Sequence, residues 1–487
     1  MKKALSYILL IALFTALTWL VIHFGEQIPG KPAAHLDTGT TLGFADKARP
    51  VLINSPQNLL EQFLGNIKYP ISILLLQVIV ILLLSRFFGS LFRLLGQQSV
   101  IGEIIAGIFL GPSILGWLWP ELSHFLFPQS SFLSLQFLSQ IGLAFFMFVI
   151  GMDLDLSKIR DKTHDAVIIS HVSIIFPFFL GSVLSYFIYT DMAPAGIAFM
   201  PFALFMGIAM SITAFPVLAR IIRERGMAKS PLGVLAITCA AADDVTAWCL
   251  LAAVIAIVKA GSITSSLFTI SLAILYILTM LFFVKPLLQK LADKKISEGN
   301  PGKTFIGMSF FILLLSAYFT EIIGIHALFG SFIAGVIMPN TVRFKEILTE
   351  KVEDLSTILL LPIFFAFTGL RTQIGLLSQG HLWGICGIVV LVAIGGKLLG
   401  STVTAKLIGR SWKDALSIGV LMNTRGLMEL VVLNIGYDLG ILGPEIFAIM
   451  VVMALLTTFM TGPLLDLIEK LFHKDIKLEA KELRHSA

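Results

Sequence analysis

The chain has 487 residues, of which 57% are apolar and only 13% charged, and its mean hydropathy is +0.92. Soluble domains carry about 25% charged residues, so a soluble multidomain enzyme, a disordered chain and a nucleic-acid binder are excluded. The net charge of +5 and the pI of about 9.0 fit either an acidic partner or surplus Lys and Arg in cytoplasmic loops, and the positions of those residues decide for the loops. Cys239, Cys249 and Cys386 all lie in apolar runs without metal-ligand spacing, and are expected to be small core hydrophobes.

A membrane-spanning helix needs about 20 apolar residues. Apolar stretches predict helices over 4–22, 69–89, 99–119, 132–152, 164–189, 196–222, 231–258, 263–285, 304–323, 326–340, 355–370, 382–404, 414–437 and 444–468. The first follows Met1-Lys2-Lys3, and no A-x-A cleavage site comes after it, so residues 1–22 are expected to be an uncleaved signal-anchor. Residues 23–68, with Pro29, Pro32, Pro50 and Pro56, are expected to be a polar external segment. Residues 69–468 then form the transmembrane domain, and 469–487 a short cytoplasmic tail. With the N-terminus inside, basic residues fall in the cytoplasmic segments: Arg86 and Arg93; Lys158, Arg160 and Lys162; Arg220, Arg223, Arg225 and Lys229; Lys285 to Lys303; Arg343, Lys345 and Lys351; Lys406, Arg410 and Lys413; and the tail from Lys470. That sorting follows the positive-inside rule, places both termini in the cytoplasm, and points to the cytoplasmic membrane.

The chain also repeats itself. Ile105-Ala106-Gly107 is echoed by Ile333-Ala334-Gly335, and Phe145-Phe146-Met147-Phe148 with Gly151 is echoed by Phe364-Phe365-Ala366-Phe367 with Gly369. The matched helices run in opposite directions in this topology. The expected architecture is therefore an inverted repeat of six helices (69–258), a linker helix (263–285) and six more (304–468), an arrangement that places transport sites near the midplane. Interrupted helices at matching places support it. The 196–222 helix carries Ser211-Ile212-Thr213-Ala214-Phe215-Pro216, where Pro216 lacks a backbone donor. Its counterpart at 414–437 carries Asn423-Thr424-Arg425-Gly426. Both hold small polar residues able to satisfy freed backbone groups.

A few charges lie within the apolar spans. Asp243 and Asp244 are about 20 Å into the 231–258 helix, where each carboxylate costs about 2.5–3.5 kcal/mol on insertion scales. Lys397, mid-span in 382–404, needs a carboxylate partner for the same reason. Adjacent helix positions point about 100° apart, so one aspartate can face Lys397 while its neighbour faces a cavity. Gly396 and Gly400 would let another helix come close. Arg425 and Glu429, four apart, are expected to pair inside the second broken helix. His171 is expected to be a hydrogen-bonded buried histidine. A buried carboxylate near an ammonium can hold a proton or a monovalent cation on the same oxygens. Asp243, Asp244, Thr213 and backbone carbonyls form a hard oxygen set that suits an alkali ion. If the empty charged site cannot cross, each passage carries one ligand or the other, which is antiport by competition.

At this point the chain resembles the monovalent cation/proton antiporters, in the branch with a paired aspartate. The resembling stretches are Gly102–Gly116, Phe146–Asp155, Ser211–Ile222, Ala240–Leu251, His326–Pro339, Pro362–Arg371, Gly395–Gly400 and Asn423–Gly436, spread over residues 69–468. The resemblance implies an all-α polytopic, thirteen-helix fold with two crossed broken helices; the leading helix is an addition to that plan. It implies that Asp244 binds the cation, that Asp243 pairs with Lys397, and that the protein works as a homodimer with elevator-like alternating access. It implies Na+ or K+ and H+ as transported ions, with no cofactor and no nucleic-acid partner. The competing expectation is the membrane subunit of a potassium efflux system, or a channel-like protein, served by a separate regulatory subunit.

Overall fold

The computed structural model describes residues 2–25, 66–67, 69–153, 164–227, 230–260, 263–297, 303–339, 352, 354–378 and 380–485. Of the segment expected to be external, residues 26–65 lie outside the described residues. So do Asp155, Lys158, Arg160, Lys162, Lys229, Arg343, Lys345 and Lys351. Among the described residues all regular structure is helical, and ten helices are long and apolar enough to cross a membrane.

In chain order the helices are α1 (Lys2–Gly25), α2 (Pro70–Leu94), α3 (Ser99–Leu110), α4 (Leu115–Leu118), α5 (Pro120–Leu126), α6 (Gln129–Asp153), α7 (His164–Met192), α8 (Phe199–Ser211), α9 (Phe215–Glu224) and α10 (Pro231–Ala260). Then come α11 (Ile263–Thr279), a π-helical turn (Met280–Val284), α12 (Lys285–Ser297), α13 (Lys303–Ile323) and α14 (Ala327–Val336). A second π turn (Ser356–Leu360) leads into α15 (Leu361–Arg371). A third (Gly395–Leu399) joins α16 (Gly380–Ile394) to α17 (Gly400–Leu407). The chain closes with α18 (Trp412–Met422), α19 (Leu427–Asp438) and α20 (Pro444–His485).

A helix occupies part or all of every predicted stretch, and the differences have local causes. The 99–119 stretch stops at Leu110, because Gly111 precedes Pro112 and a residue before proline is pushed out of the α region. The 263–285 stretch continues as a polar helix to Ser297, and the last stretch runs on to His485; in both, helix persists after hydropathy has fallen. The stretches at 196–222 and 414–437 are each split in two.

The helices gather into two groups. α2, α3, α6, α13, α14 and α15 pack on one another as a scaffold bundle; α7, α8, α10 and α16–α20 form a second bundle, with α1 lying on α7 and α8. Within the scaffold, glycines bring backbones into contact. A Cβ on Gly335 would lie 2.1 Å from the Phe148 carbonyl oxygen, and one on Gly151 would lie 2.2 Å from that of Phe332. A Cβ on Gly107 would lie 2.2 Å from the Ala366 oxygen, and one on Gly369 2.4 Å from that of Ile104. Only hydrogen fits at these four places, which is how small residues drive helix association where lipid is as apolar as leucine. In the second bundle, Gly396 and Gly400 meet Pro177 and Phe176 of α7, with Cβ positions 3.0 and 2.9 Å from those side chains.

Candidate ion-binding site

α8 ends at Ser211, and Ile212 turns to an extended conformation with ψ 137°. The chain resumes as α9 at Phe215, so Pro216 falls in the first turn of a new helix, where its missing N–H removes no hydrogen bond. The second break lies between Met422 and Leu427. The two breaks touch. The Ala214 amide donates to the Thr424 carbonyl at 3.0 Å, and Thr213 Oγ1 can donate to the Met422 carbonyl at 3.2 Å. Each interruption thus satisfies backbone groups that the other leaves free, as irregular backbone within a membrane requires.

Arg425 ties the breaks together. Its Nη1 donates to the Ala209 carbonyl at 2.8 Å, and its Nη2 to the Met210 carbonyl at 2.7 Å. Those carbonyls sit in the last turn of α8, which has no following turn to accept from. A cation is also favoured there by the helix dipole. Arg425 and Glu429 are both fully buried, and Nη1 reaches Glu429 Oε2 at 2.8 Å. Thr458 Oγ1 donates to the Arg425 carbonyl at 2.7 Å, and the Thr424 and Thr461 hydroxyls are 3.3 Å apart. The expected Arg425–Glu429 pair is present, and the arginine does more than pair: it caps the other broken helix.

Beside this junction stand the acidic residues of α10. Asp243 Oδ2 accepts from Ser173 Oγ at 2.8 Å, from Thr213 Oγ1 at 2.7 Å and from Lys397 Nζ at 3.1 Å. Lys397 Nζ also donates to Ser173 Oγ at 3.0 Å and Thr213 Oγ1 at 2.5 Å, so its three N–H groups all have acceptors. Asp243, Thr213, Ser173 and Lys397 are all 0% exposed. Lys397 sits in the π-helical turn between α16 and α17, which brings the ammonium to α7, the first break and α10 at once. π turns recur at functional positions in helices.

Asp244 differs. It too is 0% exposed, but neither of its carboxylate oxygens has a hydrogen-bond partner among the described residues. Asp243 Oδ1 and Asn423 Oδ1 are also without partners. Asn423 lies between Met422 and Thr424, both of which touch the first break. An uncompensated buried charge costs roughly 3–5 kcal/mol. The arrangement therefore offers oxygen acceptors to something that brings positive charge.

Sequence reasoning brought Asp243, Lys397 and Thr213 together with Asp244. It set one aspartate against Lys397, and the other, Asp244, is fully buried beside it. Ser211 turns back on its own helix, donating to the Gly207 carbonyl at 2.6 Å. His171 Nδ1 hydrogen-bonds the Val167 carbonyl oxygen at 2.9 Å. Ser173 was missed: a neutral serine in an apolar helix carries no insertion penalty that would single it out.

Residues 79–468 match the family described as "Sodium/hydrogen exchanger, transmembrane". The chain belongs to that family. It is a family of transporters, not enzymes. The chain is 46% identical over 398 residues to the Na(+)/H(+) antiporter NhaS4 of Synechocystis sp., covering 80% of this chain and 96% of that protein. It is 40% identical over 400 residues to Cation/H(+) antiporter 17 of Arabidopsis thaliana, covering 82% of this chain and 48% of that one. It is 34% identical over 411 residues to K(+)/H(+) antiporter 1 of Saccharomyces cerevisiae, covering 83% and 47%. The chain thus spans about half the length of these plant and yeast relatives. Its fold is similar to that of the sodium proton antiporter MjNhaP1 from Methanocaldococcus jannaschii, with a TM-score of 0.56 at 15% identity, covering 85% of this chain and 99% of that one.

Proposed function

We propose that this exchanger-family chain is a secondary antiporter that exchanges a monovalent cation, Na+ or K+, for protons across the cytoplasmic membrane by alternating access. One observation carries the reading: Asp244 is fully buried without a donor among the described residues, next to an Asp243 already matched by Lys397. The matched pair is electrically complete. Asp244 is not, and it needs either a proton or a cation. Both ligands use the same oxygens, so they exclude each other. The empty site keeps an unmatched charge, which opposes its movement between faces. Coupling follows from that cost, with no separate proton path. Asp244 is the cation ligand in this reading, with Asp243, Thr213 and Asn423 supplying further oxygens and Lys397 acting as charge partner.

Relatives named for sodium and for potassium exchange leave both ions open, and they favour exchange over an efflux subunit or a channel. The ions are cargo and no cofactor is called for. We further read residues 69–468 as a thirteen-helix inverted repeat with crossed broken helices, preceded by a signal-anchor helix. The protein is a homodimer in the bilayer, with both termini cytoplasmic. The glycine contacts support the repeat. Gly107 and Gly335 occupy matching positions, as do Gly151 and Gly369, and each contact joins a position in one half to the other position in the other half.

The test is dequenching of a pH dye in everted vesicles, with Li+, Na+ and K+ compared on one preparation. Asp244→Asn should abolish cation-dependent proton movement at unchanged protein level. Normal exchange in that variant would remove Asp244 from the site.

A further inference from the structure

We propose that the Arg371–Asp438 bridge is a latch between the two bundles on one face of the membrane, and that it sets how readily the buried site opens toward that face. Arg371 ends α15 in the scaffold bundle. Asp438 ends α19, the helix that carries Glu429 and begins two residues after Arg425. Arg371 Nη1 donates to Asp438 Oδ1 at 2.7 Å and to Asn434 Oδ1 at 3.3 Å. One turn along, Asn434 Nδ2 donates to Thr368 Oγ1 at 2.8 Å. The guanidinium carbon lies 4.3 Å from the Phe367 ring centre and 5.3 Å from that of Tyr437, so an aromatic from each helix holds it. The two charged side chains are 12% and 25% exposed, which shields the pair from water that weakens surface ion pairs.

The described ion pairs sort by face. Lys259 and Glu321, near the C-termini of α10 and α13, form a second link between bundles, but at 3.8 Å and with 33% and 52% exposure. His326, at the start of α14, is an electrostatic neighbour of Lys259, Glu321 and Asp438, which puts both links on one face. On the other face, where α10 begins, Arg225–Asp466 at 2.7 Å and Arg410–Asp165 at 3.2 Å each stay within the second bundle or its flanking turns. A cavity of about 540 Å³ opens there, lined by Arg225, Pro231, Leu235, Arg410 and Ile418. Leu235 lies about two turns, roughly 12 Å, from Asp243 along α10, so this cavity approaches the site from that face. Among the described ion pairs, the two that cross the bundle boundary lie on one face; on the other, Gln97 Nε2 reaches the Phe459 carbonyl of α20 only at 3.5 Å, from an exposed position.

The kind of contact matters. Apolar contacts across the boundary, such as Trp248 stacked on Phe332 with centroids 6.1 Å apart, have no direction and can slide. A charged hydrogen bond loses its strength within an ångström or two. Movement of α19 past α15 must break the Arg371 ladder first. Because α19 is one rigid helix leading back to the Arg425 junction, latch and site move as a unit.

The inference rests on the exchange reading. It is tested with full-length protein in proteoliposomes, measuring apparent KM for the cation from each face. Asp438→Asn should lower KM from the latched face by about fivefold, the low end of measured couplings between sites, and raise it from the other face. The melting temperature should stay nearly unchanged. The charge-swapped pair, Arg371→Asp with Asp438→Arg, should return both KM values toward wild type. If Asp438→Asn does not fold, Arg371→Lys keeps the charge, loses the fork geometry, and should shift both KM values the same way by less. KM values that stay put, or that rise together as melting falls, overturn the latch. Wild-type protein with no cation-dependent proton movement would instead overturn the exchange reading.

Discussion

Lys397→Met isolates the central ion pair. The substitution keeps most of the side-chain length and removes the ammonium. Asp243 Oδ2 would keep Ser173 and Thr213 as donors at 2.8 and 2.7 Å, but would lose the cation at 3.1 Å. Both partners are fully buried, so water cannot replace what is removed. Breaking a buried pair from one side costs about 3–5 kcal/mol, because the remaining charge is stranded. Removing both members is far milder, since neutral groups of similar shape leave no stranded charge. The assay is thermal unfolding of four purified proteins in one detergent: wild type, Lys397→Met, Asp243→Asn and the double variant. The expected result is two destabilised single variants and a double variant that recovers most of the loss, with a coupling of about 2 kcal/mol or more. A coupling within about 0.5 kcal/mol of zero would refute the pairing and the division of labour between the aspartates built on it.

Two further expectations rest on other contacts. Arg425→Gln leaves the Ala209 and Met210 carbonyls short of charged donors and Glu429 without its cation. It should cost about 3–5 kcal/mol and abolish exchange, while Arg425→Gln with Glu429→Gln should regain stability without regaining exchange; recovery of exchange would show that the cap is dispensable. Gly335→Leu forces backbone apart where a Cβ would already be 2.1 Å from the Phe148 oxygen. It should lower yield and melting temperature sharply, whereas Gly307→Leu, with nothing within 4 Å of its Cβ position, should fold normally.

Much of the site was legible because the membrane makes charge conspicuous. Asp243, Asp244 and Lys397 stand out in apolar runs where each must be explained. Pro216 and Gly426 announced the breaks, because proline and glycine interrupt helices by known means. What stayed hidden depends on distance in space. Ser173 is chemically ordinary until α7 sets it between Lys397 and Asp243. The Arg425–Glu429 spacing foretold an intrahelical pair, but no spacing within one helix says that the same guanidinium reaches carbonyls of a helix more than two hundred residues earlier in the chain. Likewise the repeat aligned Gly107 with Gly335 and Gly151 with Gly369. That the contacts run between the unlike members is a property of assembly alone.

Those exchanged glycine contacts bear on how the chain is made. Gly107 and Gly151 leave the ribosome long before Gly335 and Gly369 exist. Until then the early helices lack the backbone that packs against these glycines in the finished fold. The first half of the polypeptide is therefore an unfinished surface in the bilayer, and the second half completes it by insertion rather than by adding a self-sufficient unit. A chain interrupted between Ala260 and Lys303 would yield two fragments, each holding the glycine partners that the other lacks.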